Sequence, residues 1–168
     1  MDPLEQRYVD LIDRNGPRIR RLCRSWARRG NEGDLEAEVF LQLWRALPSF
    51  EGRSNIDTWA YRVTLNVVLS QTRKERLRQG TESDTEVELL PGRPAADSLE
   101  ASERRSALHA ALAELEDADR TLLSLWLEEL PYSQIAEITG LTTNHVGVRV
   151  HRLKKRLTDR LRATAEGA

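Results

Sequence analysis

The chain has 168 residues and a formal net charge of −1, room for one domain or two small ones, and with 32% charged and 5% aromatic residues it has the composition of a soluble, helix-rich protein. No apolar run reaches the roughly 18 residues of a membrane span, and Asp2, Glu5, Arg7 and Asp10 interrupt the N-terminus, so a signal peptide and direct membrane insertion are not expected and the protein is placed in the cytoplasm. Cys23 is the only cysteine, which excludes internal disulfides and cysteine-based zinc clusters, and its neighbours Leu22 and Trp26 predict a buried thiol.

Leu4, Tyr8, Leu11 and Ile12 predict a first amphipathic helix, and Ile19, Leu22, Cys23 and Trp26 a second, with Asn15-Gly16-Pro17 as the break between them. Asp34 opens a third helix, in which Leu35, Val39, Leu43, Trp44 and Leu47 alternate with Glu36, Glu38, Gln42 and Arg45, and Pro48 ends it. A polar loop over 49–55 follows. The next helix begins near Asp57, carries Trp59, Tyr61, Val63, Val67 and Leu69, and finishes in the basic run Arg73, Lys74, Arg76 and Arg78. Trp59 and Tyr61 are two apart on one helix and cannot both face inward; Trp59 is structural or strand-contacting, and no role is assigned to Tyr61.

From Gly80 to about Asp97 the chain combines Gly, Pro, Ser and Thr with clustered acids and lacks an apolar stripe, so it reads as a flexible linker, in which Leu89 and Leu90 are the exception that could dock. Charge divides along the same lines. Residues 1–80 hold 15 Lys and Arg against 11 Asp and Glu, 81–103 hold 1 against 7, 104–130 hold 3 against 6, and 131–168 hold 7 against 3. Two basic blocks separated by an acidic one say more about partners than the net charge does.

Two further helices are expected over 107–115 and 120–130. Residues 130–162 then read as a helix-turn-helix. Pro131 suits a helix start, Ile135, Ala136 and Ile138 supply its buried side, and Gly140 takes the left-handed position that stops it. Thr142 or Thr143 caps a second helix whose Val146, Val150, Leu153, Leu157 and Leu161 form one apolar stripe. The opposite side is left to Asn144, His145, Val148, Arg149, Arg152, Lys155 and Arg156, residue types that reach base edges near a helix N-terminus and phosphates farther along. The competing reading is a solvated C-terminal helix.

Trp26, Trp44 and Trp126 lie on apolar faces and read as core, and His109 as an ordinary surface histidine. His145 and His151 are poorly spaced for chelation on one helix face. No nucleophile–base pair, phosphate loop or metal constellation emerges. No catalytic residue, cofactor or metal ligand is therefore assigned, and the protein is read as something other than an enzyme.

The runs DLEAEVFLQLWRALPSFEGRSNIDTWAYRVTLNVVLSQTRK and, after the acidic linker, LEELPYSQIAEITGLTTNHVGVRVHRLKKRL resemble the two conserved regions of an extracytoplasmic-function sigma factor of bacterial RNA polymerase. Ala37, Leu65 and Ser70 depart from the Gln, Arg and Asp often found in that family, and His145 and Gly147 from its Thr and Lys. The resemblance implies an all-α protein with two small helical domains, 1–79 and 100–168, joined by a linker over 80–99. It implies a dissociable subunit that directs core polymerase to promoters and helps open the −10 element. In that reading Asp34, Glu36, Glu38, Leu41, Gln42 and Arg45 meet core polymerase, chiefly the beta-prime clamp helices, with further contact to the beta subunit; the acids could equally complement the positive end of their own helix. Ser54, Asn55, Trp59, Arg62, Asn66, Arg73 and Lys74 would engage the −10 element, where an unstacked base needs polar edges and aromatic surface. Thr143, Asn144, His145, Val148, Arg149, Arg152, Lys155 and Arg156 would meet the −35 element, and Gly147 would leave a gap that lets His145 approach the groove. The acidic linker would thread through polymerase or act only as a spacer. An anti-sigma factor is implied as a further partner. The alternatives are a sigma-like decoy that binds an anti-sigma factor, and a dimeric helix-turn-helix repressor, which leaves residues 34–74 unexplained.

Overall fold

The structure, a computed structural model, describes residues 1–28, 30–80 and 98–167. These fold as α1 (Pro3–Trp26), α2 (Glu32–Ala46), a 3-10 turn (Leu47–Ser49), α3 (Ile56–Gln79), α4 (Leu99–Ala113), α5 (Asp117–Leu127), α6 (Tyr132–Thr139) and α7 (Thr143–Glu166), with no strand among them. The protein is all-α. The described residues fall into two compact units, 1–80 and 98–167. The linker expected over 80–99, with Leu89 and Leu90, lies outside the described residues except at its edges, where Gly80 caps α3 and Ser98 caps α4.

In the first unit a capping box starts α1: Asp2 accepts from the Leu4 amide, and Glu5 Oε2 accepts from the Asp2 amide at 3.1 Å. The helix then runs without the break expected at Asn15-Gly16-Pro17. Packing overrides the local signal. Leu11, Asn15, Gly16, Ile19, Leu22, Cys23 and Trp26 make one buried stripe along the full length of α1, while Pro17 lies on the exposed side. The carbonyl that Pro17 cannot bond belongs to exposed Asp13, where water can satisfy it.

The core of this unit joins that stripe to Leu35, Val39 and Leu43 of α2, Leu47, and Ala60, Tyr61, Leu65 and Val68 of α3. The inward face of α3 therefore centres on Tyr61, fully buried, while Trp59, Val63, Val67 and Leu69 are half-buried flanks, a rotation from the stripe expected. Between the buried apolar side chains, the Thr64 hydroxyl donates to the Ala60 carbonyl at 2.8 Å, so it costs the core little. Cys23 is buried as expected, and desolvation, with the nearby Glu36 carboxylate second, pushes its thiol up to about 12. Trp26 is core, but Trp44 is not: it is 36% exposed, its ring edge-on to Tyr8 at 5.2 Å and 80°. The α2 core is already filled by Leu35, Val39 and Leu43, spaced four apart.

The second unit begins earlier than the apolar pattern indicated, with α4 at Leu99, where Ser98 caps it, and α5 at Asp117. Ser98 Oγ accepts from the Ala101 amide at 3.3 Å. Ala111, Leu112, Leu122, Leu123, Leu125, Ile135, Ile138, Val146, Val150 and Leu153 form the core, with α7 packed on α4, α5 and α6. Trp126 is half-buried, with Lys154 Nζ 4.6 Å from its ring centre. His109 is half-buried rather than on the surface, and desolvation, reinforced by Arg120 and Arg105, lowers its pKa. No helix among the described residues is long and apolar enough to cross a membrane.

Candidate nucleic-acid interface

Three surfaces carry the residues singled out in the sequence. On α2, Asp34, Glu38, Leu41 and Arg45 follow at steps of four, three and four, which sets them on one outer face. Leu41 is 40% exposed and Gln42 half-buried at the edge of this face. Glu36 points elsewhere. Its Oε1 accepts from Arg20 Nε of α1 at 2.9 Å, and the same guanidinium lies 5.1 Å from the Phe40 ring centre. Glu36 thus serves the α1–α2 contact, apart from the row that begins at Asp34.

The second surface is the loop before α3 and the outer side of α3. Phe50 is held between the Arg7 guanidinium, 4.9 Å from its ring centre, and the Trp59 ring at 5.3 Å. Gly52 turns the chain at φ 73°. Asn55 is the N-cap of α3: its Oδ1 accepts from the Asp57 amide at 2.8 Å, while the residue stays exposed. Ser54 Oγ donates to the carbonyl of its neighbour Asn55 at 3.3 Å. From there Trp59, Arg62, Asn66 and Arg73 succeed one another at steps of three, four and seven, one line down the outer side of α3, with Lys74 beside its end. With Tyr61 buried, Trp59 is the aromatic residue this face presents.

The third surface is α7. Gly140 ends α6 in the left-handed conformation at φ 77°, and Thr142 Oγ1 accepts from the His145 amide at 3.2 Å, so turn and cap form as expected, with Thr142 rather than Thr143 in the cap. Val146, Val150 and Leu153 are buried, Leu157 and Leu161 half-buried. Asn144, His145, Val148, Arg152 and Lys155 are exposed on the other side, with Val148 43% exposed near its centre.

Two expectations for α7 do not hold. Arg149 is not on a free face, since its Nη2 pairs with Asp119 Oδ1 of α5, and Arg156 Nη1 lies 3.9 Å from the other oxygen of the same carboxylate. Gly147 leaves no gap toward a groove either, because a Cβ there would meet the Tyr132 ring of α6 at 3.5 Å. It is one residue past Val146 and sits against the supporting helix.

Comparison with known proteins places the chain in a family. The chain matches sigma-70 region 2 over residues 11–78 and sigma-70 region 4 over residues 105–157. It is 30% identical over 133 residues to the RNA polymerase sigma factor YlaC of Bacillus subtilis, covering 74% of this chain and 76% of that protein. It belongs to the extracytoplasmic-function sigma factors of bacterial RNA polymerase. The sigma factor is also 25% identical over 166 residues to the ECF RNA polymerase sigma factor SigW of Bacillus subtilis, 92% of this chain and 89% of that one. Its fold is that of two proteins solved as complexes. RpoE from Bartonella quintana, with the anti-sigma factor NepR, has a TM-score of 0.73 at 22% identity, covering 96% and 98% of the two chains. CnrH, with the cytosolic domain of CnrY, has a TM-score of 0.67 at 19% identity, covering 95% and 90%.

As a sigma factor the protein directs RNA polymerase to promoters and acts as a regulatory subunit. The residue that sequence reasoning missed is Asp119. It lies 30 positions before its partner Arg149, so no local spacing announces the pair.

Proposed function

We propose that this sigma factor uses the three surfaces for three separate tasks. The α2 row of Asp34, Glu38, Leu41 and Arg45 docks on the beta-prime clamp helices of core polymerase, with Gln42 at its edge. The Phe50–Asn55 loop and the Trp59, Arg62, Asn66, Arg73 and Lys74 line hold the −10 element as it opens. Asn144, His145, Val148 and Arg152 read the −35 element, while Thr143 and Lys155 take phosphates. The chain between the units, acidic by composition, threads through polymerase, and the whole works in the cytoplasm under an anti-sigma factor.

The observation that carries this reading is the row on α3. A half-buried aromatic ring, an amide and two guanidiniums stand in one line beginning beside an exposed, capped loop. That is the equipment for holding an unstacked single strand: a ring to stack on, polar edges, and cations for the backbone. A closed duplex offers no base to such a ring.

The decisive experiment mixes purified sigma factor with core polymerase, follows the complex by gel filtration, and selects promoter fragments with the reconstituted enzyme. A stable complex that opens and transcribes a defined promoter is expected. A protein that binds DNA as a dimer without core is a repressor, and one that binds only an anti-sigma factor is a decoy; either result would sink the reading.

A further inference from the structure

We propose that Asp119, on α5 and outside the helix-turn-helix, sets the sequence-independent strength with which α7 holds DNA at the −35 element, because it withholds Arg149 and Arg156 from the DNA backbone. The inference rests on the assignment of α7 to the −35 element.

Asp119 stands between two arginines that are seven residues, or about two turns, apart on α7. One carboxylate oxygen takes Arg149 Nη2, and the other faces Arg156 Nη1 at 3.9 Å. The exposures rank the two contacts. The Asp119 and Arg149 side chains are 17% and 31% exposed, so their pair is only partly screened by water and salt, whereas Arg156 is 67% exposed and held more loosely. Both arginines lie on the α5 flank of the outward face, while Asn144, Val148 and Lys155 occupy its middle.

Binding to arbitrary DNA rises with the number of phosphates that Lys and Arg neutralise, and base contacts add only on the matching site. A carboxylate that balances one or two guanidiniums therefore lowers affinity for every sequence without touching a base contact. Discrimination, the ratio of the two affinities, is left nearly as it was, so Asp119 acts on the sequence-independent part of binding. Asp119 works here through the arginines and need not touch DNA.

The test uses full-length protein assembled with core polymerase and two short duplexes, one carrying the −35 sequence found by selection and one scrambled, each titrated across a range of salt. Asp119→Asn should bind both duplexes several-fold more tightly, steepen the log–log salt slope by about one, and leave the ratio of the two affinities nearly unchanged. In the wild-type background Arg149→Ala should leave the scrambled-duplex slope nearly unchanged, while Lys155→Ala lowers it by about one. The gain from Asp119→Asn should vanish when Arg149 and Arg156 are both replaced by Ala. If the gain persists there, or if Asp119→Asn changes neither affinity nor slope, the inference is overturned. Should Asp119→Asn melt early, Arg149→Ala decides alone: a slope loss matching that of Lys155→Ala overturns the idea. A wild-type complex with no preference between the duplexes instead refutes the −35 assignment itself.

Discussion

Asn15 and Asp57, 42 residues apart in the chain, are joined by a 2.8 Å hydrogen bond from Asn15 Nδ2 to Asp57 Oδ1. The same Asn15 amide donates to the Leu11 carbonyl at 3.3 Å, and Arg14 Nη2 lies 3.6 Å from Asp57. The bond ties the middle of α1 to the first turn of α3, two residues after the Asn55 cap. It explains why a polar residue is buried where a helix break was expected. Asn15→Ala should destabilise the first unit by about 1–3 kcal/mol, since it removes a part-buried hydrogen bond to a carboxylate. Arg14→Ala, removing a largely exposed charge, should change stability by less than about 1 kcal/mol. Denaturant unfolding of both variants checks the ranking, and equal effects would contradict it.

Asn55 is both the cap of α3 and a candidate reader of the −10 element, and the two roles separate by substitution. Asn55→Ala should cost about 1 kcal/mol of stability, whereas Asn55→Ser should cost almost none because serine caps about as well. Both should slow open-complex formation more than closed-complex formation, because captured bases contribute only after the strands part. Potassium permanganate footprinting with gel shifts makes the distinction; full recovery of opening by the Ser variant would leave Asn55 a cap alone.

On α2 the acids should divide by the direction they face. Replacing Asp34 and Glu38 together with Lys should weaken binding to core polymerase while the melting temperature stays within a degree or two, as exposed charges contribute little to folding. Glu36→Lys should act the other way round, lowering the melting temperature by setting a cation against Arg20. Core affinity measured beside thermal melting tests the split, and unchanged affinity in the double variant would remove the proposed docking row.

His109 makes the second unit sensitive to acid. Its folded pKa is lowered by burial first and by Arg120 and Arg105 second, so below the ordinary value of about 6.5 the unfolded chain takes up a proton that the folded one resists. Stability from this group is complete above that value and declines as pH falls from it toward the lowered folded pKa. His109→Gln should flatten the decline below about pH 6.5. Melting curves on either side of that pH decide it, and an equal slope in the variant would rule His109 out as the source.

What the sequence alone determined was whatever depends on near neighbours. Helix period, the Gly140 stop, a threonine cap at 142 or 143 and the order of two helical segments around an acidic stretch are all written in spacings of a few residues, and two such segments together carry the sigma-factor resemblance. The tertiary structure decided what depends on residues brought together from far away. Pro17 did not break α1, because the stripe from Leu11 to Trp26 gains more by packing on α2 and α3 than one missing backbone bond costs. Tyr61 rather than Trp59 faces inward, because both were compatible with the pattern and only the position of α1 and α2 picks the side. Trp44 stayed at the surface for a similar reason: an apolar residue on a helix need not be on the half of it that another helix covers. Arg149 was read as free because its neighbours in the chain are no match for it, whereas its carboxylate partner comes from α5. A charge pair is set by distance in space, and spacing along the chain carries no information about it beyond a turn or two of helix.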